Sequence, residues 1–64
     1  MKFEEALPLL KQGKKIRRRR WAKIEYVEKR NGYVVQKMRD GKEVSCCVEF
    51  YDLDILAEDW EVME

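Results

Sequence analysis

Two dipeptides decide most of what this chain can fold into. Asn31-Gly32 and Asp40-Gly41 both tolerate the positive φ angles that a two-residue type I′ turn demands of its central residues. They separate three β-prone runs at residues 23–30, 33–39 and 42–50, which predicts an antiparallel meander. Two-residue turns also set the register. That register places Ile24, Tyr26, Tyr33, Val35, Val44, Cys46, Val48 and Phe50 on one face, and Val27, Val34, Met38 and Cys47 on the other. The first face is expected to hold a helix. The second is too apolar to be purely solvated and too polar for a second core. A subunit contact accounts for that mixture slightly better than Lys and Glu stems laid over isolated apolar side chains do.

The helix comes first in the chain. Phe3, Ala6, Leu7 and Leu10 follow the i, i+3, i+4, i+7 pattern of an amphipathic helix. Glu4 and Glu5 lie at the positive end of its dipole and Lys11 at the other. Gly13 suits the left-handed position after the last turn. Pro8 removes an N–H, so a distorted or short first turn is expected. Residues 15–19 read as a short extended segment anchored by Ile16. Residues 52–57 read as a helical turn with Asp52 at its N-cap, and residues 60–63 as a closing strand. The predicted fold is therefore α+β: an N-terminal helix packed on a four- to five-stranded antiparallel sheet, with a short helical turn before the last strand.

Length limits what this fold can do alone. The 64 residues are expected to form one domain, and a chain of this size buries only about 60% of its unfolded surface. Small domains compensate with disulfides, metals or oligomerisation. The only cysteines, Cys46 and Cys47, are adjacent and would point to opposite faces of a strand. Reduced thiols fit a cytoplasmic setting. With no His in the chain and no spaced Cys pairs, no metal site is expected. No signal-like or membrane-spanning apolar run is visible. Oligomerisation remains.

Chemistry is scarce. The chain has one Ser, no Thr and no His, so no nucleophile has an imidazole to activate it. Asp52 with Asp54, and Glu58 with Asp59, are carboxylate pairs. They lie in a uniformly acidic stretch where solvation or helix capping explains them better. No catalytic residue and no cofactor is expected. Charge is strongly segregated. All 14 Lys and Arg lie in residues 1–42 beside five acids, giving +9, while residues 43–64 hold eight acids and no base, giving −8. Arg17 to Arg20 followed by Trp21 suits an anion site, with Arg forks for phosphate and an aromatic for stacking. Pairing of these bases with the acidic stretch is an equal reading. Trp60 reads as core, and Trp21 as the more exposed stacking platform.

The opening FEEALPLLKQGKKIRRRRW and the closing DILAEDWEV resemble the Thoeris anti-defence type two proteins, which are small and phage-borne. The likeness covers both ends, about half of the chain. It implies a small α+β domain that assembles as a homo-oligomer. It also implies binding of cyclic ADP-ribose-type signalling nucleotides between subunits, without cleavage, in the host cytoplasm. Arg18 and Trp21 fall where the family has its Arg and Trp, and Asp54, Leu56, Ala57, Glu58, Asp59 and Trp60 match its closing motif. Ala22-Lys23 replaces the Asn-Gly that often follows the Trp, and Tyr51, Asp52 and Leu53 replace a Gln-Thr-like pair. The expected ligand-binding set is Arg18, Arg20, Trp21, Tyr26, Phe50 and Asp54. Some relatives are associated with CRISPR nuclease inhibition, so capture of a host defence protein is the alternative. A small nucleic-acid-binding module is third.

Overall fold

The computed structural model describes residues 1–45 and 52–63. Helix α1 (Phe3–Lys11) is followed by strands β1 (Lys15–Arg18), β2 (Ile24–Arg30), β3 (Tyr33–Met38) and β4 (Glu43–Val44). A short helix, α2 (Asp52–Leu56), precedes β5 (Trp60–Met63). The strands form one antiparallel sheet in the order β4-β3-β2-β1-β5. The architecture is α+β, as the sequence predicts. Cys46, Cys47, Val48, Phe50 and Tyr51 lie outside the described residues.

Helix α1 is closed at both ends by backbone groups that would otherwise lack partners. The Lys2 N–H donates to Glu5 Oε1 at 2.9 Å. After Gln12, Gly13 adopts φ +94°. Its N–H donates to the Leu10 carbonyl, and the Lys14 N–H to the Leu9 carbonyl, both at 3.0 Å. This is the Schellman arrangement. Pro8 does not shorten the first turn as expected, and the helix runs through it. Pro8 is exposed, as is Glu4 four residues earlier, so the carbonyl that loses its partner faces water.

The two turn dipeptides behave differently. Asn31 (φ 52°) and Gly32 (φ 83°) are both left-handed, giving the two-residue turn between Arg30 and Tyr33. At the second site only Gly41 is left-handed, at φ 95°. The Gly41 N–H donates to the Met38 carbonyl at 3.1 Å, and the Met38 N–H to the Lys42 carbonyl at 2.8 Å. The loop therefore holds three residues, Arg39, Asp40 and Gly41. This corrects the expected register. Gln36 opposes Val44 and Lys37 opposes Glu43, a slip of one residue that moves Val44 to the other face.

A β-bulge at Ile24–Tyr26 makes a second correction. The extra residue turns Ile24 to the same side as Val27. Helix α1 therefore packs on the face expected to be left over. Ala6 and Leu10 meet Ile16, Val27 and Trp60, with Ile24, Val34 and Val62 against them. The Val27 face wins because β1 and β5 enlarge it: Ile16 lies between Val27 and Val62 in register, and Arg18 opposes Trp60. Tyr26, Tyr33 and Val35 occupy the face opposite α1, where Val35 is buried and Tyr33 is exposed. There Lys15 Nζ stands 4.7 Å above the Tyr26 ring, and Arg30 pairs with Glu28 and Glu43.

Candidate functional site

Strand β1 carries Lys15, Arg17 and Arg18 beside β5 and the acids that precede it, so the segregated charges meet. Arg17 Nε donates to Glu61 Oε1 at 2.7 Å on the face opposite α1. Arg18 turns to the opposite side, under α2. Its Nη1 donates to Asp54 Oδ1 at 2.7 Å and its Nε to Asp59 Oδ1 at 2.9 Å. The side chains of Arg18 and Asp54 are only 11% and 9% exposed. Two charges removed this far from water are costly unless hydrogen bonds satisfy them. Here they do: among the described residues no buried side-chain nitrogen or oxygen lacks a partner.

Asp54 is the hub. Its Oδ1 also accepts from Trp21 Nε1 at 3.3 Å, and its main-chain carbonyl accepts from Trp60 Nε1 at 2.7 Å. The Trp21 ring meets Trp60 edge-on, with centroids 5.2 Å apart at 81°. Phe3 lies against Trp60 at 5.2 Å and 51°. Asp59 ties down the segment between Arg18 and Trp21. Its Oδ2 accepts from the Arg20 N–H at 3.2 Å, and its carbonyl from the Arg19 N–H at 3.1 Å. Burial works to raise the Asp59 carboxyl, but the Arg18 hydrogen bond and charge and the Arg20 N–H outweigh it and hold it below its usual range. The Asp54 hydrogen bond in turn raises Arg18, against the opposing effect of burial.

Of the six expected ligand residues, the fold gathers Arg18, Trp21 and Asp54 into one cluster and leaves Arg20 beside it. Arg20 is exposed and its side chain forms no ion pair among the described residues. Tyr26 lies on the other side of the sheet, and Phe50 lies outside the described residues. Trp60 is core, at 1% exposure. Trp21 is half-buried, less open than its place after the basic run suggested. Nothing in the local sequence marks Asp59 as Arg18's partner. The signal for it was the charge segregation, which implies that the ends pair.

Beside this cluster, a groove of about 250 Å³ is lined by Ala22, Lys23, Met38, Arg39 and Asp40. Its walls are joined by the Arg39 N–H donating to the Lys23 carbonyl at 2.9 Å, and by Arg39 Nη2 donating to the Trp21 carbonyl at 3.5 Å. A second groove, of about 440 Å³, lies between Arg30, Asn31, Tyr33, Val35, Glu43 and Ser45. Among the described residues there is no cluster of His, Cys, Asp and Glu able to hold a metal, and no helix long and apolar enough to cross a membrane.

No curated protein matches the chain. The family model for the Thoeris anti-defense 2-like domain matches residues 1–63, nearly the whole sequence and both of its framing motifs. The chain belongs to the Thoeris anti-defense 2-like domain family.

Proposed function

We propose that this protein sequesters a cyclic nucleotide immune signal in the host cytoplasm, of cyclic ADP-ribose or cyclic oligonucleotide type, without cleaving it. The family match over residues 1–63 carries the reading. The site supports it with a fixed Trp21, an exposed Arg20 and no imidazole anywhere in the sequence. In this reading Arg18 and Asp54 hold Trp21 in place, and Trp21 and Arg20 meet the ligand. Tyr26 is on the far side of the sheet from Trp21, so a pocket that uses both needs two copies of the chain. A homo-oligomer follows. Leu53 and Leu56 of α2 are each 77% exposed and supply apolar surface for it.

A thermal-shift screen against signalling nucleotides tests the proposal. A ligand at a hundredfold excess over Kd stabilises by about 2.7 kcal/mol, a large shift for so small a domain. Heating the complex should return the nucleotide intact by chromatography, and a cleaved product would contradict capture without catalysis. The exposed α2 leucines also favour a second reading, an anti-CRISPR-like protein that binds a host defence nuclease. That reading wins if no nucleotide shifts the melting temperature and a purified defence nuclease binds and is inhibited.

A further inference from the structure

We propose that the groove beside Trp21 is a phosphate subsite, in which Lys23 and Arg39 grip the diphosphate or phosphodiester portion of a small nucleotide. The inference rests on the nucleotide reading above and adds the residues that would hold the charge. Three observations carry it.

The first is charge. Lys23 and Arg39 form no ion pair among the described residues, in a chain where Arg17, Arg18, Arg19 and Arg30 are all paired with acids. They converge on one concavity, from the 21–23 segment on one side and the β3–β4 loop on the other. Asp40, the acid on the rim, has one oxygen committed to its own loop, where Oδ1 accepts the Lys42 N–H at 3.0 Å. With Lys23, Arg39 and Asp40 counted together, the lining keeps a net positive charge.

The second is size. Ligand pockets hold roughly 300–1,000 Å³. At about 250 Å³ this groove falls short of that range, so it suits one part of a ligand. Half-buried Met38, with the exposed Ala22 beside it, gives it an apolar lining between the cations. A lining of carbon strengthens the attraction between a cation and an anion by thinning the water around them.

The third is rigidity and position. The Arg39 guanidinium already reaches the Trp21 carbonyl, and the backbones of residues 23 and 39 are hydrogen-bonded. The two cations therefore sit on walls held at a fixed separation, which lowers the ordering cost of binding. The groove adjoins the Trp21 segment, so a phosphate held here leaves the rest of the nucleotide beside that residue. Arg18, the basic residue the family resemblance favoured, has Asp54 and Asp59 on its guanidinium. A phosphate approaching Arg18 would meet two carboxylates.

The test uses inorganic pyrophosphate and cyclic ADP-ribose on the full chain. In an NMR titration with pyrophosphate, the amides of Ala22, Lys23, Arg39 and Asp40 should shift first. The double variant Lys23→Gln/Arg39→Gln should keep the parental melting temperature and lose at least tenfold in pyrophosphate affinity. A charge-matched control, Lys11→Gln/Lys14→Gln, should lose less than threefold. Equal losses in both variants would mean binding to net charge alone and would overturn the subsite, as would shifts centred elsewhere. Single-stranded DNA binding lost in the groove variant, with pyrophosphate indifferent to it, would also overturn it in favour of a polymer track. Calorimetry with cyclic ADP-ribose separates the two claims. If the parent binds it and the groove variant binds it equally well, the subsite fails and the sponge stands. If pyrophosphate maps to the groove and no signalling nucleotide binds the parent, the subsite stands and the sponge fails.

Discussion

Arg18 shows how a residue's neighbours decide its work. A basic run before a Trp suits a phosphate as well as it suits an acidic partner, and the sequence alone left the two readings level. The sheet decides between them by bringing β5 beside β1, which puts Asp54 and Asp59 on the Arg18 guanidinium. Removing one member of a buried ion pair leaves uncompensated charge and costs about 3–5 kcal/mol. Arg18→Ala should therefore lower stability by that order in urea denaturation, and a near-parental midpoint would refute the structural role. Trp60→Ala should cost a similar 3–5 kcal/mol through lost burial. Stability should also depend on acid. The Asp59 carboxyl titrates below its ordinary 3.8 in the folded chain. Its contribution is thus complete above about pH 4 and fades as pH falls through the lower folded value. Asp59→Asn should weaken the protein at neutral pH and flatten its acid limb, which chemical denaturation from pH 2 to 7 would read directly. Trp60 as core was legible from its alternation with Val62. The pairing of Arg18 was not, because it depends on which strand lies next to β1.

At the scale of elements, the closing strand, the helix and its Gly13 terminus were readable from local pattern, since each depends on neighbours in sequence. Which face the helix covers was not. It turned on the pairing of β1 and β5 beside Val27. Two one-residue events, the bulge at Ile24–Tyr26 and the third residue in the second loop, move Ile24 and Val44 to that face. Asp40-Gly41 reads the same in a two-residue and a three-residue loop, and only the hydrogen bonds of Met38 distinguish them. The difference is measurable. In a type I′ turn both central residues would be left-handed, whereas here Gly41 alone is. Gly41→Ala should cost about 1–2 kcal/mol, the penalty for a side chain in that conformation. Asp40→Ala should cost only the bond to the Lys42 N–H, about 0.5–1.5 kcal/mol. A larger loss at Asp40 than at Gly41 would contradict the three-residue loop.

The molecule as a whole is closed by its two ends. The Trp60 N–H donates to the Met1 carbonyl at 3.0 Å, and β5 joins the sheet at β1. This is why the charge is split along the chain: the basic first part and the acidic last part are partners in one fold. Among the described residues the arrangement buries six apolar side chains. Domains typically gain about 0.05–0.15 kcal/mol of net stability per residue, so 64 residues yield roughly 3–10 kcal/mol. Against so modest a margin, Leu53 and Leu56 at 77% exposure and Ile55 at 47% are an apolar surface better covered than left in water. Light scattering across a concentration series should therefore report more than one copy, and the melting temperature should rise with concentration. Leu53→Ser/Leu56→Ser removes that surface without touching the core. It should shift the population toward monomer and abolish the concentration dependence, while the dichroism of the fold persists. A parent that stays monomeric at high micromolar concentration would remove the two-copy pocket, and with it the joint use of Tyr26 and Trp21.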